Sequence, residues 1–123
     1  MTTNAMFGLD VVNVSDKLRE GGPIVAGEVV ATAVFVLLIE GFIRSDRAGV
    51  IPYMVAVWIT AAYWCTSSTS FANPAVSVGR SLSDSFAGID PSSMPMFFVG
   101  QFVGGAVGLG MASLVFGGRL VER

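Results

Sequence analysis

Histidine is absent from the chain and cysteine occurs once, as Cys65. Without imidazole there is no Ser-His-Asp triad and no histidine metal ligand. A lone cysteine closes no intrachain disulfide and builds no thiolate cluster, so Cys65 reads as a small apolar helix residue. Charge is also scarce: Lys, Arg, Asp and Glu make up 13% of the 123 residues, against about a quarter in soluble domains. The net charge is -2 and no basic run occurs, which argues against nucleic acid as a partner. No constellation of an enzyme remains, and no cofactor or metal is expected.

What the chain has instead is apolar length. Hydrophobic residues reach 53% and the mean hydropathy is +0.71, so lipid is the expected surroundings. Residues 1–22 lack the basic start, apolar middle and cleavage site of a secretory signal and read as a polar extramembrane segment. Apolar runs over 23–42, 49–66 and 95–116 are each long enough to cross about 30 Å of hydrocarbon as a helix. Arg44, Asp46 and Arg47 form the polar connection between the first two. Pro52 falls in a first helical turn, where its missing N–H costs nothing. Asp90-Pro91-Ser92-Ser93 supplies a turn and helix-start signal before the third run.

Gly100, Gly104 and Gly108 recur at four-residue spacing in the third span, which predicts a bare face for close helix packing, within the chain or between chains. Trp58, Tyr63 and Trp64 suit an aromatic belt at a membrane interface. Gln101 is read as a hydrogen-bonding residue between helices, and Glu40 as interfacial. Arg44, Arg47, Arg119 and Arg123 lie toward one side, with Lys17, Arg19 and Arg80 toward the other. That bias predicts a multi-pass protein of the cell membrane with its N-terminus outside and its C-terminus in the cytoplasm.

Residues 67–89 are too short and too polar to span. Within them, Asn73-Pro74-Ala75 is a local helix start, with asparagine at the N-cap and proline at the first helical position. Lying between two spans, it predicts a re-entrant segment, since irregular backbone survives at membrane depth only where protein or water satisfies it. A helix beginning at Asn73 would aim a positive dipole end at the midplane. Together with the amide donor of Asn73, that end favours neutral solutes and opposes cations.

The order of spans, the phrase Ser70-Phe71-Ala72-Asn73-Pro74-Ala75 and the Gln101 to Ala106 stretch resemble the major intrinsic protein family, the aquaporins and aquaglyceroporins, over nearly the whole chain. The resemblance implies an all-α membrane fold of which this is one half: three transmembrane helices plus one re-entrant half-helix. In that family two inverted halves meet with their asparagines at the pore centre. Asn73-Pro74-Ala75-Val76 is similar to the family's first motif, whereas the continuation Asp84 to Ile89 is similar to the second half, and residues 1–22 resemble the loop that joins the halves. The C-terminal half is the preferred assignment.

By the same resemblance, Asn73, Pro74, Ala75, Val76, Arg80 and Ala61 are pore or selectivity positions. Val76 stands where the family carries a filter arginine, and Ala61 where water-selective members carry histidine, so the filter is expected to be wider and to admit glycerol-sized neutral solutes. Arg80 either replaces part of the missing charge or forms an i, i+4 pair with Asp84. Glu28, costly as a buried carboxylate in a span by about 3 kcal/mol, is implied to accept hydrogen bonds from the re-entrant backbone near Thr66 to Ala72. The expected function is half of a passive channel for water or small neutral solutes. Its partners are then the lipid membrane, a complementary half from the same gene or a separate chain, and further copies in a homo-oligomer. The alternative is a truncated or small membrane interaction protein that uses the glycine face and has no transport role.

Overall fold

The computed structural model describes residues 2–117. Five α-helices occur in this range: α1 Thr2–Met6, α2 Gly22–Arg44, α3 Ile51–Cys65, α4 Pro74–Ser81 and α5 Met94–Phe116. No strand forms among the described residues, although Asn13 and Ser83 make one isolated parallel bridge. The chain is an all-α membrane protein. Three helical stretches, Gly22–Arg44, Ala48–Cys65 and Pro91–Phe116, are long and apolar enough to cross a membrane.

The boundaries have local causes. Pro23 opens α2 at a position that needs no N–H. The helix continues past Phe42 because Arg44 pairs back with Glu40 at 3.1 Å, one turn earlier. Ser45 then closes it by donating its hydroxyl to the Gly41 carbonyl at 2.7 Å. The α3 end is closed alike, with the Thr66 hydroxyl on the Ala62 carbonyl at 2.7 Å. Ahead of α5, the Asp90 carboxylate accepts from the Ser92 amide at 2.7 Å, capping the 3-10 turn Pro91–Ser93 that leads into the helix.

α2 and α5 form the main packing unit. The glycine face of α5 lies on α2 of the same chain, which decides between the two packing modes left open by sequence. A Cβ at Gly104 would stand 2.5 Å from the Val29 carbonyl oxygen, and one at Gly108 would stand 2.5 Å from that of Ala33. At Gly100 the distance to the Val25 oxygen would be 3.2 Å. Backbones this close gain dispersion contacts that lipid tails cannot match. By contrast, α3 buries only Ala62; Trp58 ties it to α2 by donating Nε1–H to the Ala31 carbonyl at 3.0 Å. Phe71, Ile89 and Phe97 make a buried apolar cluster, against which Ile24, Val76 and Met94 pack. This cluster joins the α3–α4 connection to α5, and so positions the region described next. Arg119 and Arg123, two of the charges used for the orientation bias, lie outside the described residues.

Candidate functional site

Residues 66–73 turn the chain back on itself without glycine. Thr69, Ser70 and Ala72 all take left-handed backbone, with φ of 61°, 48° and 51°, a region that disfavours residues bearing a Cβ. The turn is held from inside by Glu28, which is fully buried on α2. One carboxylate oxygen accepts from the Phe71 amide at 2.8 Å and the Ser68 hydroxyl at 3.0 Å. The other accepts from the Ala72 amide at 3.0 Å and from Nε2 of Gln101 on α5 at 2.7 Å. A carboxylate can accept several donors at once, and these four offset its desolvation without a cation in direct contact.

From this turn α4 starts. Asn73 is extended, with φ -159° and ψ 125°, and its side-chain oxygen accepts from the Ala75 amide at 2.8 Å. That bond consumes the amide oxygen and leaves the NH2 group without a partner among the described residues. Asn73, Pro74 and Ala75 are all exposed. A second chain of bonds fixes the helix tip: Gln101 Nε2 donates to the Ser77 hydroxyl at 3.0 Å, and Ser77 donates to the Asn73 carbonyl at 3.3 Å. The residue read from sequence as a generic interhelical hydrogen bonder thus links Glu28 to α4. With 8 residues, α4 is about 12 Å long, far short of the roughly 30 Å needed to cross hydrocarbon.

The remaining candidate positions are distributed around this tip. Val76 is half-buried against the Phe71 cluster, and Ala61 is exposed on α3. Arg80 forms no ion pair with Asp84; the Asp84 carboxylate instead accepts from the Ser15 hydroxyl at 3.3 Å. The physical reason is that α4 ends at Ser81, so no helix continues to bring the two residues onto one face. The Arg80 guanidinium lies over aromatic rings, 4.6 Å from the Phe71 centroid and 5.6 Å from that of Tyr63. Its Nη1 is buried with no hydrogen-bond partner.

Arg19 was read from sequence only as one of several charges beyond the membrane, yet it is 8% exposed. It donates from Nε to the Gly88 carbonyl at 2.7 Å, from Nη2 to that of Phe86 at 2.9 Å and from Nη1 to that of Ser68 at 3.5 Å. Around it, the Ser15 amide donates to the Ser81 carbonyl at 2.9 Å and the Asp90 amide to that of Lys17 at 2.9 Å. The N-terminal segment therefore lies along the connection from α4 to α5. Only a buried partner tens of residues away distinguishes Arg19 from Lys17, and no local spacing carries that signal.

A buried carboxylate bracing a turn that launches a short helix at an Asn-Pro pair matches the half-helix geometry implied by the resemblance. Comparison with known proteins gives the same family. The chain is 42% identical over 106 residues to the aquaglyceroporin AqpS of Rhizobium meliloti (strain 1021). The chain belongs to the major intrinsic protein family. The match covers 86% of this chain and 45% of the relative, so the chain spans less than half the length of the curated protein it matches. No family model and no solved structure matches.

Proposed function

We propose that the chain is one half, the C-terminal half, of a passive channel for water or small neutral solutes such as glycerol, completed by a second half. The observation that carries this reading is the Glu28-braced turn, which presents the free NH2 group of Asn73 at the positive end of α4. Residues 67–89 then act as a re-entrant segment. A donor at that end can meet the oxygen of an uncharged solute, while the dipole opposes protons and cations. Val76 and Ala61 leave the outer filter wide and weakly polar, and the Arg80 guanidinium, with one nitrogen unpartnered, supplies the charge that Val76 does not. The largely unburied α3 is the surface on which the complementary half would seat. In this reading the N-terminus faces outward and the membrane is the cell membrane.

The test is osmotic swelling of proteoliposomes holding the chain alone and the chain co-reconstituted with a complementary three-span half. Swelling is expected with both halves, slow with one, and reduced for glycerol by Asn73→Asp. Swelling of the paired halves that ignores Asn73→Asp would refute the pore assignment. Absence of swelling in every combination would favour the membrane interaction protein.

A further inference from the structure

We propose that Arg19 is a positioning residue that fixes where the Arg80 guanidinium stands, so that the N-terminal segment governs the mouth beside α4. The proposal rests on the reading above only in taking Arg80 as a selecting charge. Both guanidiniums address one ring: Arg19 Cζ lies 5.6 Å and Arg80 Cζ 4.6 Å from the Phe71 centroid. A ring attracts a cation over its face, but Phe71 is itself immobile, 2% exposed and stacked at 4.9 Å on Phe97.

The two arginines differ in what else they do. Every guanidinium nitrogen of Arg19 is spent on a carbonyl, two of them in the Phe86 to Gly88 stretch and one at Ser68. Its backbone amide is held too, by the Ser93 hydroxyl at 3.1 Å. Arg80 makes no side-chain hydrogen bond with Nη1 and is held by aromatic faces alone. Burial lowers the pKa of Arg19 below the ordinary arginine value, and the charge of Arg80 lowers it further. The two cations therefore feel one another. With Arg19 fixed at its carbonyls, repulsion and the shared ring leave Arg80 one place to stand, against Tyr63.

The test reads Arg80 directly in the full chain in lipid nanodiscs. Phenylglyoxal modification is followed by peptide mass spectrometry, with Arg44, held by Glu40 at the far end of α2, as the internal reference. Arg19→Gln is expected to speed modification of Arg80 about tenfold, the scale of one lost charge-assisted hydrogen bond. Arg44 and the helical circular dichroism should not change. Arg19→Lys, which keeps the charge but not the fork of donors, should fall between. In a Phe71→Leu background, R19Q should add nothing further, because the shared ring is gone.

An unchanged Arg80 rate in a folded R19Q chain overturns the proposal, as does an R19Q effect that survives intact in the F71L background. If R19Q unfolds the chain, so that Arg44 accelerates as well, R19K carries the same comparison, and an unchanged Arg80 rate there overturns it. No flux enters this measurement, so failure of the swelling experiment and failure of this one are separate results. Where paired halves conduct, R19Q is further expected to shift the glycerol-to-water permeability ratio in the direction that Arg80→Gln shifts it.

Discussion

Replacing Glu28 with glutamine tests the balance on which the α3–α4 turn depends. Three residues with a Cβ in the left-handed region, Thr69, Ser70 and Ala72, cost about 1–2 kcal/mol each, roughly 3–6 kcal/mol together. Against this, the carboxylate accepts two backbone amides, from Phe71 and Ala72, and hydrogen bonds to a charged group contribute about 1.5–3 kcal/mol each. The terms nearly cancel, so the turn is poised. Glutamine has the same shape but one acceptor oxygen, and its NH2 group must face whichever of the two amides the oxygen does not take. That amide is expected to lose about 2 kcal/mol of protection, which is a roughly 30-fold faster hydrogen exchange. The assay is deuterium exchange at single-amide resolution in nanodiscs, with the α5 amides as reference because their bonds lie within the helix. Phe71 and Ala72 amides that both remain as protected as in the parent chain would refute the argument.

Thr69→Gly should stabilise the chain by about 0.5–1 kcal/mol, since glycine accepts positive φ freely and the buried Thr69 hydroxyl has no partner to lose; unfolding in mixed micelles with rising SDS measures this. In the same titration Gly104→Ala should cost about 1–3 kcal/mol by overpacking, because its new methyl would meet the Val29 carbonyl. Gly105→Ala, with nothing within 4 Å of the added carbon, should be neutral, and equal costs would undo the assignment of the packing face. The Asp90 carboxyl is held below the usual carboxylate value by the Ser92 hydroxyl and then the Ser92 amide. A lowered folded value means the cap contributes fully above the unfolded value of about 3.9 and is lost as pH falls through the folded one. Exchange at the Ser92 amide should therefore rise on acidification beyond its intrinsic pH dependence, and Asp90→Asn should remove that excess.

The long helices were legible because an apolar run of span length has few alternatives, and Pro23 and Pro52 mark their starts without ambiguity. The α4 start was equally legible, because asparagine before proline is a cap wherever it stands. Glycine spacing on α5 gave the packing face but not the partner, since lipid-facing and helix-facing small residues look alike in one dimension. The left-handed turn left no trace: Thr69, Ser70 and Ala72 are not residues that announce positive φ, and Glu28 holds them from another helix. Arg80 was read with an Asp84 alternative that needed a longer α4 than forms. Arg19 stayed hidden because its meaning lies in carbonyls far along the chain.

The brace at Glu28 draws donors from the α3–α4 connection and from α5, and this has a consequence for biogenesis. A ribosome delivers the turn well before Gln101 and Phe97, which secure the α4 tip and the ring beneath it. Until the last span arrives, the hairpin lacks both its lock and its floor. Insertion of the short helix is in this sense retrospective: a later stretch of polypeptide ratifies a bend already made.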